Sequence, residues 1–182
     1  MNLTNHFLIA MPSLQQDYFN ASLTLVCEHN DEGAIGLVIN RPSHISVLEL
    51  LSQLNLNPSR RWLVAPVMEG GPVSQDHGFI LYRGDASYGA SLNVTPNLYL
   101  SSGHEVLEAI AKDEGPEQFL VALGYAGWAG GQLEAEVSRN VWLTVEAESD
   151  LIFDTPFEER LAKAAGALGI DLNLISTESG QH

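Results

Sequence analysis

Apolar and polar positions along the chain switch repeatedly between short runs of strand character and stretches of helical period. "HFLIA" at 6–10 is a compact apolar run with the length of a buried strand. "SLTLVCEH" and "AIGLVIN" flank "NDEG", a turn-rich tetrapeptide in which Gly33 accepts positive φ. An antiparallel hairpin is predicted there. In "SVLEL", Ser46 stands three residues before Glu49, the spacing of a capping box, and Val47, Leu50, Leu51 and Leu54 share one helical face. "WLVAPVMEGGPV" and "GFILY" follow as strands, punctuated by a Gly70-Gly71-Pro72 turn.

The second half repeats the scheme. Ser102 and Glu105 have capping-box spacing ahead of "HEVLEAIAK", where Val106, Ala109 and Ile110 share a face. "QFLVALG" is a strand, "GYAGWAGG" a glycine-rich turn leading into a short helix "QLEAEVSR", and "NVWLTVEA" a strand rich in β-branched and aromatic residues. For the last helix, Thr155 is the expected cap, Pro156 the first helical residue and Glu158 the box partner. Phe157, Leu161, Ala164, Ala165 and Leu168 form its stripe, and Gly169 lies past its end. The alternation is too irregular for a doubly wound parallel sheet, and the hairpin requires antiparallel pairing. The expectation is one α/β sandwich domain over residues 1–175, with a mixed, partly antiparallel sheet and helices packed against it. Residues 176–182 are expected to fray.

Charge narrows the partners. The 182 residues carry 23 acids against 8 lysines and arginines, a formal net charge of −15, and only Arg60 and Arg61 are adjacent. No basic stripe exists to displace counterions from a nucleic-acid backbone, so direct DNA binding is not expected. The N-terminal apolar run is too short for a signal-peptide core or a membrane span, so no membrane association is expected. The one cysteine, Cys27, excludes an intramolecular disulfide and points to a reducing compartment, hence the cytoplasm.

Complete catalytic or metal-binding signatures are missing. Cys27 and His29 are two apart in a strand-like run, which places them on one face about 7 Å apart; that face also carries Leu23 and Leu25, so the thiol reads as a small packed hydrophobe. No histidine pair has metal-ligand spacing, and "EHNDE" lacks the register of an EF-hand loop. Ser101 and Ser102 lack the flanking glycine of a nucleophile elbow. Arg41, in "INRP" at a strand end, has the guanidinium fork that grips a carboxylate or phosphate. Gly124, Gly127, Gly130 and Gly131 match neither G-x-G-x-x-G nor the P-loop, no cation lies between Gly124 and Val137, and Glu134 would repel an anion at the following helix start.

Several blocks in a fixed order, "HFLIAMP", "EHNDEGAIGLVINRP", "EGGPV", "GFILY", "LGYAGWAGGQLEAE" and "NVWL", make nearly the whole chain similar to the AlgH/YqgE family of bacterial proteins. The resemblance implies a single α/β domain with a mixed sheet and a role in regulation, of alginate production and other genes, with no established reaction or ligand. The leading expectation is a non-enzymatic regulatory or adaptor protein holding a protein partner or small ligand in a cleft. Its residues are Asn40, Arg41, Pro42, Gly70, Gly71, Pro72, Tyr125, Gly127, Trp128, Gly130 and Gln132. No catalytic residue, cofactor or metal is expected. The competing expectation is an enzyme acting on a small anionic substrate, with Arg41 as anchor and Cys27, His29 or Ser102 as the reactive group.

Overall fold

The structure, a computed structural model, describes residues 1–11, 18–58 and 64–170. They fall into two compact units, one formed by residues 1–40 with the chain from 126 onward, the other by residues 41–125. Trp62, Leu63 and the tail at 176–182 lie outside the described residues.

The first unit contains β1 (His6–Ala10), β2 (Leu23–Asn30), β3 (Gly33–Val38), β10 (Trp142–Glu146) and the last residues of β9 (Gln118–Ala129). They pair antiparallel in the order β10-β1-β2-β3-β9. The unbroken apolar runs of β1 and β2 have a direct cause: both faces of this sheet are covered. Leu8 points to one face, where it packs with Val26, Trp128, Trp142 and Leu133 of α3 (Gln132–Ser138). Its neighbours Phe7 and Ile9 point the other way, and α5 (Phe157–Gly166) lies against β1 and β2. The predicted β2–β3 hairpin is present, with Gly33 at φ +144°.

The second unit contains β4 (Pro42–Ser46), α1 (Val47–Gln53), β5 (Pro66–Glu69), β6 (Val73–Arg83), β7 (Leu92–Thr95), β8 (Leu98–Ser101), α2 (His104–Ala111) and residues 118–125 of β9. β5 runs parallel to β9, Met68 opposite Ala122, while β6–β9, β6–β8, β7–β8 and β4–β5 are antiparallel. The sheet is therefore mixed and the fold α/β. Val47 and Leu51 of α1 and Val106 and Ile110 of α2 meet Val67, Ile80, Tyr82 and Val121 of the strands in one core. Among the described residues no helix is long and apolar enough to cross a membrane.

Helix starts are where structure and expectation part. Ser46 does cap α1, its Oγ accepting from Glu49 N at 3.1 Å, but Leu54 sits at that helix's C-cap and is 38% exposed. At α2 the cap is Gly103, not Ser102, and the hydroxyl in play is one residue earlier: Ser101 Oγ accepts from Gly103 N at 3.0 Å. Thr155 does not cap α5, because it ends an additional helix, α4 (Ser149–Asp154), in extended conformation; Pro156 takes the cap position without a side-chain bond. Of the α5 stripe, only Ala164 and Ala165 are fully buried, and Leu168 is half out in solvent. Finally, "GYAGWA" is no corner. It continues β9 without a break to Ala129.

Candidate functional site

In the first unit the end of β9 lies beside β3, with Ala34 opposite Trp128 and Gly36 opposite Ala126. Glycine at 36 is what the tryptophan requires: a Cβ there would lie 2.9 Å from the Leu25 carbonyl oxygen and 3.2 Å from Trp128 Cζ3. Trp128 is buried, stacked on Phe19 at 6.3 Å and edge-on to Trp142 at 6.1 Å. Both indoles donate to one oxygen, Glu136 Oε1, Trp128 Nε1 at 3.0 Å and Trp142 Nε1 at 2.9 Å. Gln132 holds the other oxygen, Nε2 to Glu136 Oε2 at 3.0 Å, while its own Oε1 accepts from Ala129 N at 3.0 Å. A carboxylate thus satisfies two large aromatics that would otherwise bury unpaired N–H groups. Gly130 is held close to the hairpin turn, where an added Cβ would meet the Asp31 carbonyl oxygen at 2.6 Å. Gly127 is exposed opposite Ile35, and Trp128 also borders a depression of about 210 Å³ with Glu28, Glu32 and Ile35. Asn40 acts as a fastener, Oδ1 accepting from Leu23 N at 2.9 Å and Nδ2 donating to Ala21 O at 3.0 Å.

The Cys27–His29 pair is not a reactive dyad. The register of β2 against β3 slips between Val26 and Glu28, so Cys27 sits in a bulge and strict alternation fails there. Its thiol is buried, and burial pushes its pKa up to about 12. His29 Nδ1 accepts from Leu3 N at 2.9 Å, which assigns the ring proton to Nε2; that nitrogen donates to Glu134 Oε1, also at 2.9 Å. No ring lone pair is left to take a proton from a thiol. The His29 hydrogen bond, aided by a local backbone bond, holds the Glu134 carboxyl below the usual range. Arg160 is half-buried, and desolvation lowers its pKa to about 10; it donates to the carbonyls of Ile39 and Thr155.

In the second unit Arg41, Pro42, Gly70, Gly71, Pro72 and Tyr125 gather along β5, β6 and β9. Glu69 N donates to Arg41 O at 2.7 Å and Gly70 N to Leu123 O at 2.8 Å, while Pro42 faces Met68 and Val73 faces Tyr125. Gly124 makes this approach possible: it is at φ +80°, and a Cβ there would lie 2.3 Å from Gly71 O. After Val73 the pairing of β6 resumes only at Gly78, opposite Leu123, so residues 74–77 bulge out against Gly124 alone. Val73 through His77 are exposed. Beside them Tyr125 meets Phe79 edge-on at 5.4 Å, and the His77 ring lies 5.1 Å from Phe79. Val73, His77 and Phe79 were not among the expected site residues. The polar run "SQDH" inside a strand was the available signal, because an uncovered strand segment is one that loses its apolar alternation.

A mixed-sheet α/β protein whose β9 carries "GYAGWA" defines the class. The AlgH-like family profile matches residues 7–173, and the chain belongs to that family. It is 45% identical to the UPF0301 protein of Vibrio vulnificus, covering 99% of each chain, and 48% identical to that of Nitrosomonas eutropha, covering 99% of this chain and 97% of the relative. The solution structure of the AlgH protein from Pseudomonas aeruginosa matches with a TM-score of 0.82 at 46% identity, over 97% of this chain and 94% of that one. A Corynebacterium diphtheriae protein, 19% identical with a TM-score of 0.74 over 96% of this chain and 91% of its own, shares the fold.

Proposed function

We propose that the protein is a non-catalytic regulatory or adaptor protein of the cytoplasm, acting through a protein partner and without gripping DNA. The observation that carries this reading is the exposed bulge of β6 at residues 73–77, set beside the aromatic pair Phe79 and Tyr125 and the Gly70-Gly71-Pro72 turn. Apolar and aromatic groups of this kind, rimmed by polar ones, suit recognition of another protein. The net charge of −15 supports action on genes through such a partner, since it opposes a polyanion. The competing reading, an enzyme for a small anionic substrate, draws no support from Cys27 or His29, whose reactive atoms are buried or engaged.

Capture of partners from lysate of the native host, with wild type against Val73→Asp and His77→Ala, tests the proposal. Both positions are exposed, so the variants should fold. Loss of one specific partner in both supports it. An unchanged set of partners, or a mobility shift showing tight, sequence-specific DNA binding by the pure protein, refutes it.

A further inference from the structure

The turn that precedes β1 is fastened to the end of β2 through an imidazole. Asn2 Oδ1 accepts from Thr4 N at 2.9 Å and Leu3 O from His6 N at 3.0 Å, so residues 2–6 form a tight turn, with Asn5 at φ +60°. Two bonds join this turn to His29: Leu3 N donates to Nδ1 at 2.9 Å, and Thr4 Oγ1 accepts from the His29 backbone N–H at 3.1 Å. Leu3 is thereby seated, 7% exposed, in the core that holds Leu8, Val26 and Leu133. Asn5 is tied separately, its N–H to Val26 O at 2.8 Å and its carbonyl oxygen to Ala147 N at 2.9 Å.

Of these fastenings, the Leu3–His29 bond is the one that a proton can break. A donor needs a lone pair opposite it, and Nδ1 keeps one only while the ring is neutral. A proton there would set two donors face to face in a buried place, where an unpaired donor is costly. The acids around the ring favour its charged form. Glu134 Oε1, from α3, lies 2.9 Å from Nε2, while Glu28 precedes His29 on β2 and Asp31 and Glu32 follow at the hairpin turn. β3 places Ala34 opposite and adds no charge at that pair. On the N-terminal side stand the Met1 ammonium, whose field reaches Glu134, and His6. The His6 Nδ1 lies 3.1 Å from Thr4 O, a bond that protonation preserves.

We propose that His29 is an acid-released latch for the N-terminal turn: a proton taken at Nδ1 frees Leu3 N, residues 1–4 leave β2, and the core seat of Leu3 opens. Asn5 stays bound, and the imidazolium stays on Glu134. One lone pair either takes the proton or holds the turn, and an imidazole makes that exchange near neutral pH. The latch is independent of the β6 surface and of the reading given to it.

Two NMR measurements on the ¹⁵N-labelled full chain, made from about pH 8 down to about pH 5 across the histidine range, test this. Ring nitrogen shifts report the tautomer and charge of His29, and amide exchange reports docking of the turn. The expected ring carries its proton on Nε2 at the upper end and one on each nitrogen at the lower. The Leu3 protection factor should fall with pH, approaching roughly tenfold per unit, the slope of one proton taken up per release, while that of Asn5 holds. His29→Asn keeps an acceptor in place of Nδ1 but takes no proton, so Leu3 protection should lose its pH dependence. Glu134→Gln, at a partly exposed position, keeps an acceptor for Nε2 and removes the charge. It should move release down by roughly half a pH unit, the weight of one partly exposed ion pair, and it decides alone if His29→Asn does not fold. His6→Asn should leave the pH dependence in place. A protonated ring with Leu3 still protected, joint loss of Leu3 and Asn5 protection, a dependence that survives His29→Asn or vanishes in His6→Asn, or an unmoved release in Glu134→Gln overturns the proposal.

Discussion

Gly124 and Gly131 share one backbone conformation and differ in their surroundings, so replacing each by alanine separates two costs that usually arrive together. Both lie at φ +80°. For an L-residue that conformation costs ~1–2 kcal/mol, and the stiffer unfolded chain returns about 0.4–1 kcal/mol. Gly131→Ala has nothing within 4 Å of the new methyl, so it should cost about 1 kcal/mol or less. At Gly124 the methyl would lie 2.3 Å from the Gly71 carbonyl oxygen and 3.2 Å from that of Val73. Both obstacles are backbone, and one must retreat by roughly 0.7 Å in an interior packed as densely as a crystal. Overpacking of this kind adds about 1–3 kcal/mol, which brings Gly124→Ala to about 2–4 kcal/mol out of a total of ~5–15 kcal/mol. Urea unfolding followed by circular dichroism and by tryptophan fluorescence gives both numbers. The two probes must coincide before a single free energy is read from either variant. Equal costs for the two variants, within about 0.5 kcal/mol, would refute the claim that the Gly71 approach dictates glycine at 124.

Three further outcomes follow from the first unit. Glu136→Ala leaves two buried indole N–H groups without their acceptor and should destabilise by about 2–5 kcal/mol, with both indole proton resonances moving. Cys27 should resist a disulfide reagent at pH 8 in the folded protein and react at the rate of unfolding, since its thiol pKa stands at about 12; rapid native labelling would contradict its burial. Glu134 has a lower carboxyl pKa folded than unfolded. Its stabilisation is therefore complete above the ordinary carboxylate range and fades as pH falls through the depressed folded value. Glu134→Gln should lower the melting temperature at neutral pH and flatten its acid dependence.

Much of the architecture was legible in local pattern. The hairpin announced itself through "NDEG" between two apolar runs, and Ser46 through its spacing to Glu49; each depends on residues within a few positions. The helix starts at 104 and 157 depart from the local pattern because the same chemistry serves other ends. Ser101, not Ser102, reaches the Gly103 amide, and Thr155 closes a helix that its acidic, aromatic sequence "SDLIFD" does not advertise. Glycines usually punctuate, so "GYAGWA" has the local signature of a turn. Its small residues answer instead to Gly36 across the ladder and to Gly71 near Gly124, contacts fixed by strands far away in sequence. Of the expected site residues, Asn40 and Trp128 prove to be engaged within the fold. The exposed β6 bulge is signalled in the sequence only by the polar run "SQDH", and which of its residues lack an opposite number is fixed by the pairing with β9.

Strand β9 imposes an order on synthesis. Residues 118–125 belong to one unit and 126–129 to the other, and the whole of 41–125 interrupts the first unit's sequence. When β1, β2 and β3 have left the ribosome, Gly33 to Gly36 are paired with β2 on one edge and have no neighbour on the other until Ala129 follows. At ~5–20 residues per second that edge stays open for several seconds, a period in which a nascent three-stranded sheet is exposed to foreign strands. The inserted unit, whose residues are contiguous, can complete itself during the same interval. A chaperone that guards the early hairpin would therefore have its work set by the length of the insertion.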